Sequence, residues 1–118
     1  MEKQKRISFG YTRSDMNEIV IYEQQAEVVK LIFELYSFDQ SLAKISKHLE
    51  MYHIPSPSNK PVWGRQIINN VLSNENYTGN ADYPQIITEE LWDLVQNKKH
   101  KSGYSMRYSE KKLAGQLT

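Results

Sequence analysis

Between residues 22 and 36, apolar side chains return at alternating steps of four and three: Tyr22, Ala26, Val29, Phe33 and Tyr36. Val28, Ile32 and Leu35 widen the stripe. That period is one face of an α-helix and predicts an amphipathic helix over Glu23–Ser37. The run Ile19, Val20, Ile21, Tyr22 just before it is β-prone. Ser41 is a good N-cap for a second helix, SLAKISKHLEMY, whose Leu42, Ile45 and Leu49 line one side and which ends near Tyr52. The stretch HIPSPSNKP contains three prolines and cannot continue it.

A third helix is predicted to begin at residue 63 or 64 and to run to about 74. Ile67, Ile68, Val71 and Leu72 fall on one side of it. Gln66, Asn69, Asn70 and Ser73 fall on the other, with Arg65 at the edge. NENYTGNADYPQI reads as turns and a short hairpin around Gly79. Thr88 is placed to cap a last helix, TEELWDLVQNKKHK, with acids in its first turn and lysines in its last, as the helix dipole favours. The expected fold is mainly α (α+β): a small helix-turn-helix-like domain with a minor β-hairpin. It is expected to occupy residues 1–101, with 102–118 as a polar linker or tail.

Composition narrows the function. At 118 residues the chain suits one domain with a modest core. Without cysteine it has no disulfide, thiolate metal site or cysteine nucleophile. No apolar run approaches the ~18 residues of a membrane span, and MEKQKRIS has no apolar segment behind its charges, so a cytoplasmic protein with no membrane partner is expected. The net charge of +1 conceals an uneven distribution. Lys3, Lys5, Arg6 and Arg13 open the chain, and Lys98, Lys99, Lys101, Arg107, Lys111 and Lys112 crowd its end. Basic ends on a more acidic body suit arms that reach for a polyanion, and equally suit solvated termini.

Ser14, beside Arg13, has the look of an activated nucleophile. An activated serine needs a general base and an oxyanion site, whereas Arg-Ser-Asp-Met-Asn-Glu reads as a turn between two extended pieces. His48, His53 and His100 lack the spacing of metal ligands, and no metal or other cofactor is expected. His53 stands where the second helix would need a left-handed residue to stop. The pairs Glu23/Glu27 and Glu89/Glu90 sit at helix starts, where carboxylates are stabilising, and do not read as an acid–base dyad. The polar face of the third helix holds more chemistry. Asn and Gln can bond adenine bidentately in the major groove, and Arg can bond guanine. A face made only for solubility would use Lys and Glu.

Residues 7–101 resemble the recombinase domain of large serine recombinases, the phage-integrase and transposon family. The matching pieces come in the family's order: FGYTR, AEVVKLIFELY, SLAKISKHLEMYHIPSP, VWGRQIINNVLSNENYTGNADY and IITEELWDLVQ. His53 stands where the family has a glycine, and Tyr22 where it has an aspartate that caps the first helix. KKLAGQLT resembles the lead-in to the family's zinc ribbon. The resemblance places the nucleophilic serine in a separate N-terminal domain, within Tyr-x-Arg-x-Ser, which makes Ser14 a look-alike and this chain no enzyme by itself. It implies sequence-specific binding to one half-site of a double-stranded DNA attachment site, alongside other protomers of the full recombinase and with no small-molecule substrate. Arg65, Gln66, Asn69, Asn70 and Ser73 would supply the third helix's contacts, and Lys3, Lys5 and Arg6 an arm along the backbone or minor groove. A helical protein–protein module and a stand-alone enzyme using Ser14 are the competing expectations.

Overall fold

The helix written by the four-and-three stripe is the spine of the molecule. In the computed structural model, which describes residues 7–101, it is α1, Glu23–Ser37. Its buried face, Ala26, Val29, Ile32, Phe33 and Tyr36, carries the rest of the domain. α2 (Leu42–Met51), α3 (Arg65–Leu72) and α4 (Glu89–Lys101) all pack against it. Phe33 lies at the centre, with its ring 5.9 Å from Trp92 of α4 and 6.0 Å edge-on from Tyr77. Fully burying an aliphatic or aromatic side chain of this size stabilises by about 1.5–3 kcal/mol, so this face outweighs any single polar contact.

The helix ends follow local chemistry. Ser41 Oγ accepts from the N–H of Lys44, and Thr88 Oγ1 from that of Leu91. Tyr22 stands at the N-cap of α1 without a side-chain cap. α2 stops in a Schellman motif: His53 is left-handed at φ 57°, and the Ile54 N–H reaches back to the Leu49 carbonyl. α1 stops the same way, with Asp39 at φ 67° and the Gln40 N–H on the Leu35 carbonyl.

The β-prone run pairs, but upstream of the expected place. β1 (Tyr11–Arg13) and β2 (Ile19–Ile21) form an antiparallel hairpin with Tyr11 opposite Ile21. The hairpin expected around Gly79 is absent among the described residues. Glu75–Thr78 is a 3-10 turn instead, opened by Asn74, whose Oδ1 accepts from the Asn76 N–H. The Tyr77 carbonyl takes both the Ile86 and Ile87 N–H groups, and Asn80 Oδ1 takes those of Asp82 and Tyr83. Asparagine side chains thus satisfy a backbone that a ladder would otherwise have to pair. Asn74 therefore belongs to that turn, and α3 ends two residues short of the predicted boundary.

Gly10 fixes how the hairpin meets α1. Its φ is 108°, and a Cβ there would lie 3.1 Å from Ile86 Cδ1 and 3.3 Å from Val29 Cγ2. Its N–H donates to Gln25 Oε1 and its carbonyl accepts from the Tyr22 N–H, which ties the strand to the first turn of α1. The phenols of Tyr11 and Tyr77 close the other side, donating to the carbonyls of Pro84 and Phe9 respectively. No described helix is long and apolar enough to cross a membrane.

Two measurements test this account. Trp63 and Tyr77 are each 1% exposed, and Trp63→Ala or Tyr77→Ala is expected to cost about 3–5 kcal/mol in denaturant unfolding. A change under about 1 kcal/mol at either site would contradict its place in the core. Burial, with Tyr83 adding to it, pushes the Tyr11 phenol up to about 12 from 10.0, and burial raises Tyr77 in the same direction. A raised folded-state value means the contribution is whole below pH 10 and is lost as pH climbs through the folded value. The melting temperature should fall between pH 10 and about 12, and Tyr11→Phe should fall less over that interval. Parallel curves for the two proteins would remove Tyr11 from the explanation.

Candidate nucleic-acid interface

α3 is an eight-residue helix, about 12 Å long, and its two sides differ sharply. Ile68, Val71 and Leu72 are buried against α1 and α2, with Ile67 half-buried beside them. Arg65, Gln66, Asn69, Asn70 and Ser73 span an arc of about 140° on the outer side, at 100° per residue. Arg65, Gln66, Asn70 and Ser73 are exposed and Asn69 is half-buried. The structure thus brings the five predicted α3 residues onto one face. Gln66 and Asn70, one turn apart, are joined: Gln66 Nε2 donates to Asn70 Oδ1 at 2.8 Å. Lys3, Lys5 and Arg6 lie outside the described residues.

What holds α3 in place is mostly not in α3. Residues 52–64 connect it to α2, and Trp63 pins that connection. Its indole Nε1 donates to the Ile54 carbonyl at 2.7 Å, and its backbone N–H donates to Glu50 Oε2 at 2.7 Å. Ser46 Oγ donates to the Trp63 carbonyl. Between the pinned ends, buried Ser56 closes a small loop, its N–H donating to the Lys60 carbonyl and its Oγ accepting from the Lys60 N–H. Gly64 then starts the helix with open space where a Cβ would stand.

The far end of α3 is capped from α4. Gln96 Nε2 donates to the Leu72 carbonyl at 2.7 Å, and Lys99 Nζ donates to Ser73 Oγ. Lys99 is only 4% exposed, and burial lowers the basicity of its ammonium. Its charge sits near the negative end of the α3 dipole. Ser73 is thus held by Lys99 while remaining exposed at the rim. Nothing in the sequence pattern marked Gln96, and Lys99 counted there only as one charge of a basic end, whereas it is buried. The signal for Lys99 was its step of four from Leu91 and Val95, which puts a lysine on the apolar stripe.

The N-terminal segment arrives beside this face. Ser8 Oγ accepts from the side-chain amides of Asn74 and Asn76 at 3.0 and 3.1 Å. A groove of about 630 Å³ runs here, walled by Ile67, Asn70 and Asn74 on one side and Ile7, Ser8 and Pro57 on others. Charge is divided along similar lines. Residues 41–74 hold Lys44, Lys47, Lys60 and Arg65 against one acid, Glu50, which is occupied by Trp63. The remaining described residues hold eleven acids against five lysines and arginines. The body is therefore acidic around a basic helical pair, a division that the reading of basic ends on an acidic body did not separate.

Ser14 sits in the turn between β1 and β2. Its Oγ accepts the N–H groups of Met16 and Glu18, both at 3.2 Å, so it organises its own turn. Among the described residues no group of three or more His, Cys, Asp or Glu could hold a metal ion.

The sequence profile of the Recombinase family matches residues 23–102. No curated protein matches the chain. Among the solved structures that resemble it are two of 25–26% identity. One is a crystal structure of an LSR–DNA complex, 25% identical, with a TM-score of 0.69 over 86% of this chain and 34% of that one. The other comes from work on the sequence requirements of the Listeria innocua prophage attP site, 26% identical, with a TM-score of 0.64 over 83% of this chain and 44% of that one. This chain therefore spans less than half the length of either.

The capping of α3 from α4 is directly testable. Gln96→Ala is expected to cost about 0.5–1.5 kcal/mol and to speed hydrogen exchange in the last turn of α3. Unchanged exchange there would mean that the Leu72 carbonyl does not depend on Gln96.

Proposed function

This chain belongs to the Recombinase family, and from that membership we propose that it is the DNA-reading part of a serine-type site-specific recombinase, binding one half-site of an attachment site. The observation that carries the reading is the outer arc of α3, where an arginine, three amides and a serine stand together on a helix whose other side is packed. A major groove about 12 Å wide admits a helix, and base edges there are read by amides and guanidinium groups. The excess of lysine and arginine over acid in residues 41–74 gives the α2–α3 unit a general attraction for a polyanion. Both solved relatives concern DNA, one as a complex with it and one through an attP site.

In this reading α3 lies in the major groove with Gln66, Asn69, Asn70 and Ser73 toward the bases. Arg65, in the first turn beside the uncapped N–H groups at Gly64, meets a phosphate or a guanine. Lys3, Lys5 and Arg6 continue from Ile7 along the backbone or minor groove. Residues 1–101 are the DNA-binding domain, and 102–118 lead toward a zinc ribbon of the parent protein. Strand cleavage and rejoining belong to that parent's catalytic domain, and other protomers supply the second half-site. Ser14 has no part in the chemistry.

The test is a titration of the chain and its variants against a selected half-site and a scrambled duplex at two salt concentrations. Arg65→Ala on a phosphate should weaken both duplexes alike and reduce the salt slope by about one. Asn69→Ala should leave the melting temperature nearly unchanged and cost about 1–3 kcal/mol on the half-site only. Deleting residues 1–6 should flatten the salt dependence. Salt-insensitive or absent DNA binding would favour the protein–protein module instead. Full activity of this chain in cleaving DNA, lost on Ser14→Ala, would revive the stand-alone enzyme.

A further inference from the structure

We propose that Gln66 and Asn70 form one adenine-reading unit, in which Gln66 makes the base contact and Asn70 is the positioning residue that fixes which way its amide points. The inference rests on the placement of α3 in the major groove argued above.

A glutamine amide has an acceptor oxygen and two N–H donors. In the free protein one donor of Gln66 is already engaged by Asn70 Oδ1 at 2.8 Å. What remains is Oε1 beside a single N–H, in a fixed order. Adenine offers the complement in the major groove, an N6 donor beside the N7 acceptor. Guanine offers two acceptors, O6 and N7, and leaves Oε1 without a donor. Cytosine offers its N4 donor and thymine its O4 acceptor, so each satisfies half of the amide.

Orientation matters because an unrestrained glutamine presents either order of oxygen and nitrogen. A glutamine that swings freely also loses rotamer freedom on meeting a base. The Asn70 contact lowers part of both penalties before DNA arrives, as an exposed amide pair one turn apart does, which is preorganisation. Asn70 suits the supporting role. It lies one turn along the same helix, and its side chain also walls the groove formed with Ile67, Asn74 and the incoming Ile7. Its own amide nitrogen stays available for a neighbouring phosphate or base.

The experiment starts with the full chain and a pool of randomised DNA duplexes, from which the preferred half-site is selected. The same selection is run with Gln66→Ala, Asn70→Ala, the double variant, Asn70→Asp, Arg65→Ala and Asn69→Ala, each with a melting curve to confirm folding. The expected half-site contains an adenine whose preference over the other bases is roughly 5- to 150-fold. Gln66→Ala should erase that preference at this position alone. Asn70→Ala should weaken it by about 2- to 12-fold, as expected for losing one preorganised side chain, and should do nothing further in the Gln66→Ala background. Asn70→Asp retains the acceptor oxygen, so it should retain the preference while weakening every duplex. Replacing the adenine by 7-deazaadenine, which lacks the N7 acceptor, should weaken binding by the native chain and leave Gln66→Ala indifferent.

The outcomes separate the unit from the reading beneath it. Equal losses from Asn70→Ala with and without Gln66 would make Asn70 an independent reader and overturn the pair. Adenine retained in Gln66→Ala would overturn it as well. If Arg65→Ala or Asn69→Ala changes the selected sequence while Gln66→Ala and Asn70→Ala do not, the pair is wrong and α3 is still the reading helix. If no variant changes it, or nothing is enriched, the placement of α3 fails and the pair with it.

Discussion

The α2–α3 unit depends on one residue that touches neither solvent nor any proposed ligand. Trp63 buries its indole and gives its Nε1, backbone N–H and carbonyl to Ile54, Glu50 and Ser46. Helix-turn-helix units usually join their helices through three or four residues. Here the connection is residues 52–64, and ordering each backbone unit costs about 1–2 kcal/mol in conformational entropy. A connection of that length fixes no geometry by itself. Trp63 shortens it, because Ile54 and Trp63 are held together and only a small loop closed by Ser56 remains between them. The single acid of this region, Glu50, is used to hold the backbone of Trp63, and the surface of the unit keeps its basic character.

Legibility in the sequence followed the range of the forces involved. α1 could be read to its ends because about four turns of amphipathic period leave little freedom, and Ser41 and Thr88 could be read because a cap is a local bond. Asp39 was missed as a helix stop because the left-handed site is usually glycine, and only the Gln40 N–H on the Leu35 carbonyl identifies it. The hairpin was misplaced for a related reason. Gly79 does have a positive φ, yet the segment around it satisfies its backbone through Asn74, Asn80 and the doubly accepting carbonyl of Tyr77. Meanwhile the two extended pieces on either side of the Ser14 turn were legible as such, but not that Tyr11–Arg13 pairs with Ile19–Ile21.

The polar arc of α3 was legible as composition and not as an arrangement. Periodicity places Gln66 and Asn70 one turn apart, but it says nothing about which of their atoms meet. The contribution of α4 was hidden more deeply. Lys99 reads as one of a run of lysines that favours a helix C-terminus, and three of its neighbours, Lys98, His100 and Lys101, belong to that description. Its burial against Ser73 depends on α4 crossing the end of α3, a tertiary fact. The same crossing brings Gln96 to the Leu72 carbonyl. A helix of eight residues has only a few internal hydrogen bonds and is marginal alone. α3 is therefore a stable platform because Gly64 and Trp63 fix its start and α4 finishes its end.

If α3 reads DNA as proposed, an exposed face built from amides has a physical rationale. A lysine or arginine at those positions would strengthen binding to every sequence through the phosphates, and that raises affinity without discrimination. An amide gains little from phosphate charge and a good deal from a matching base edge, so its contribution is mostly selective. In the proposed reading the general attraction would come from elsewhere: Lys44 and Lys47 on α2, Lys60 in the loop closed by Ser56, and Arg65 at the edge of the arc. In the same reading the acidic remainder of the body would turn the molecule as well as repel a polyanion, since a basic unit on an acidic support has a preferred face of approach. In the proposed reading, charge would select the orientation of the domain on its target, the packed side of α3 selects the orientation of the helix within the domain, and uncharged hydrogen-bonding groups would be left to distinguish one sequence from another.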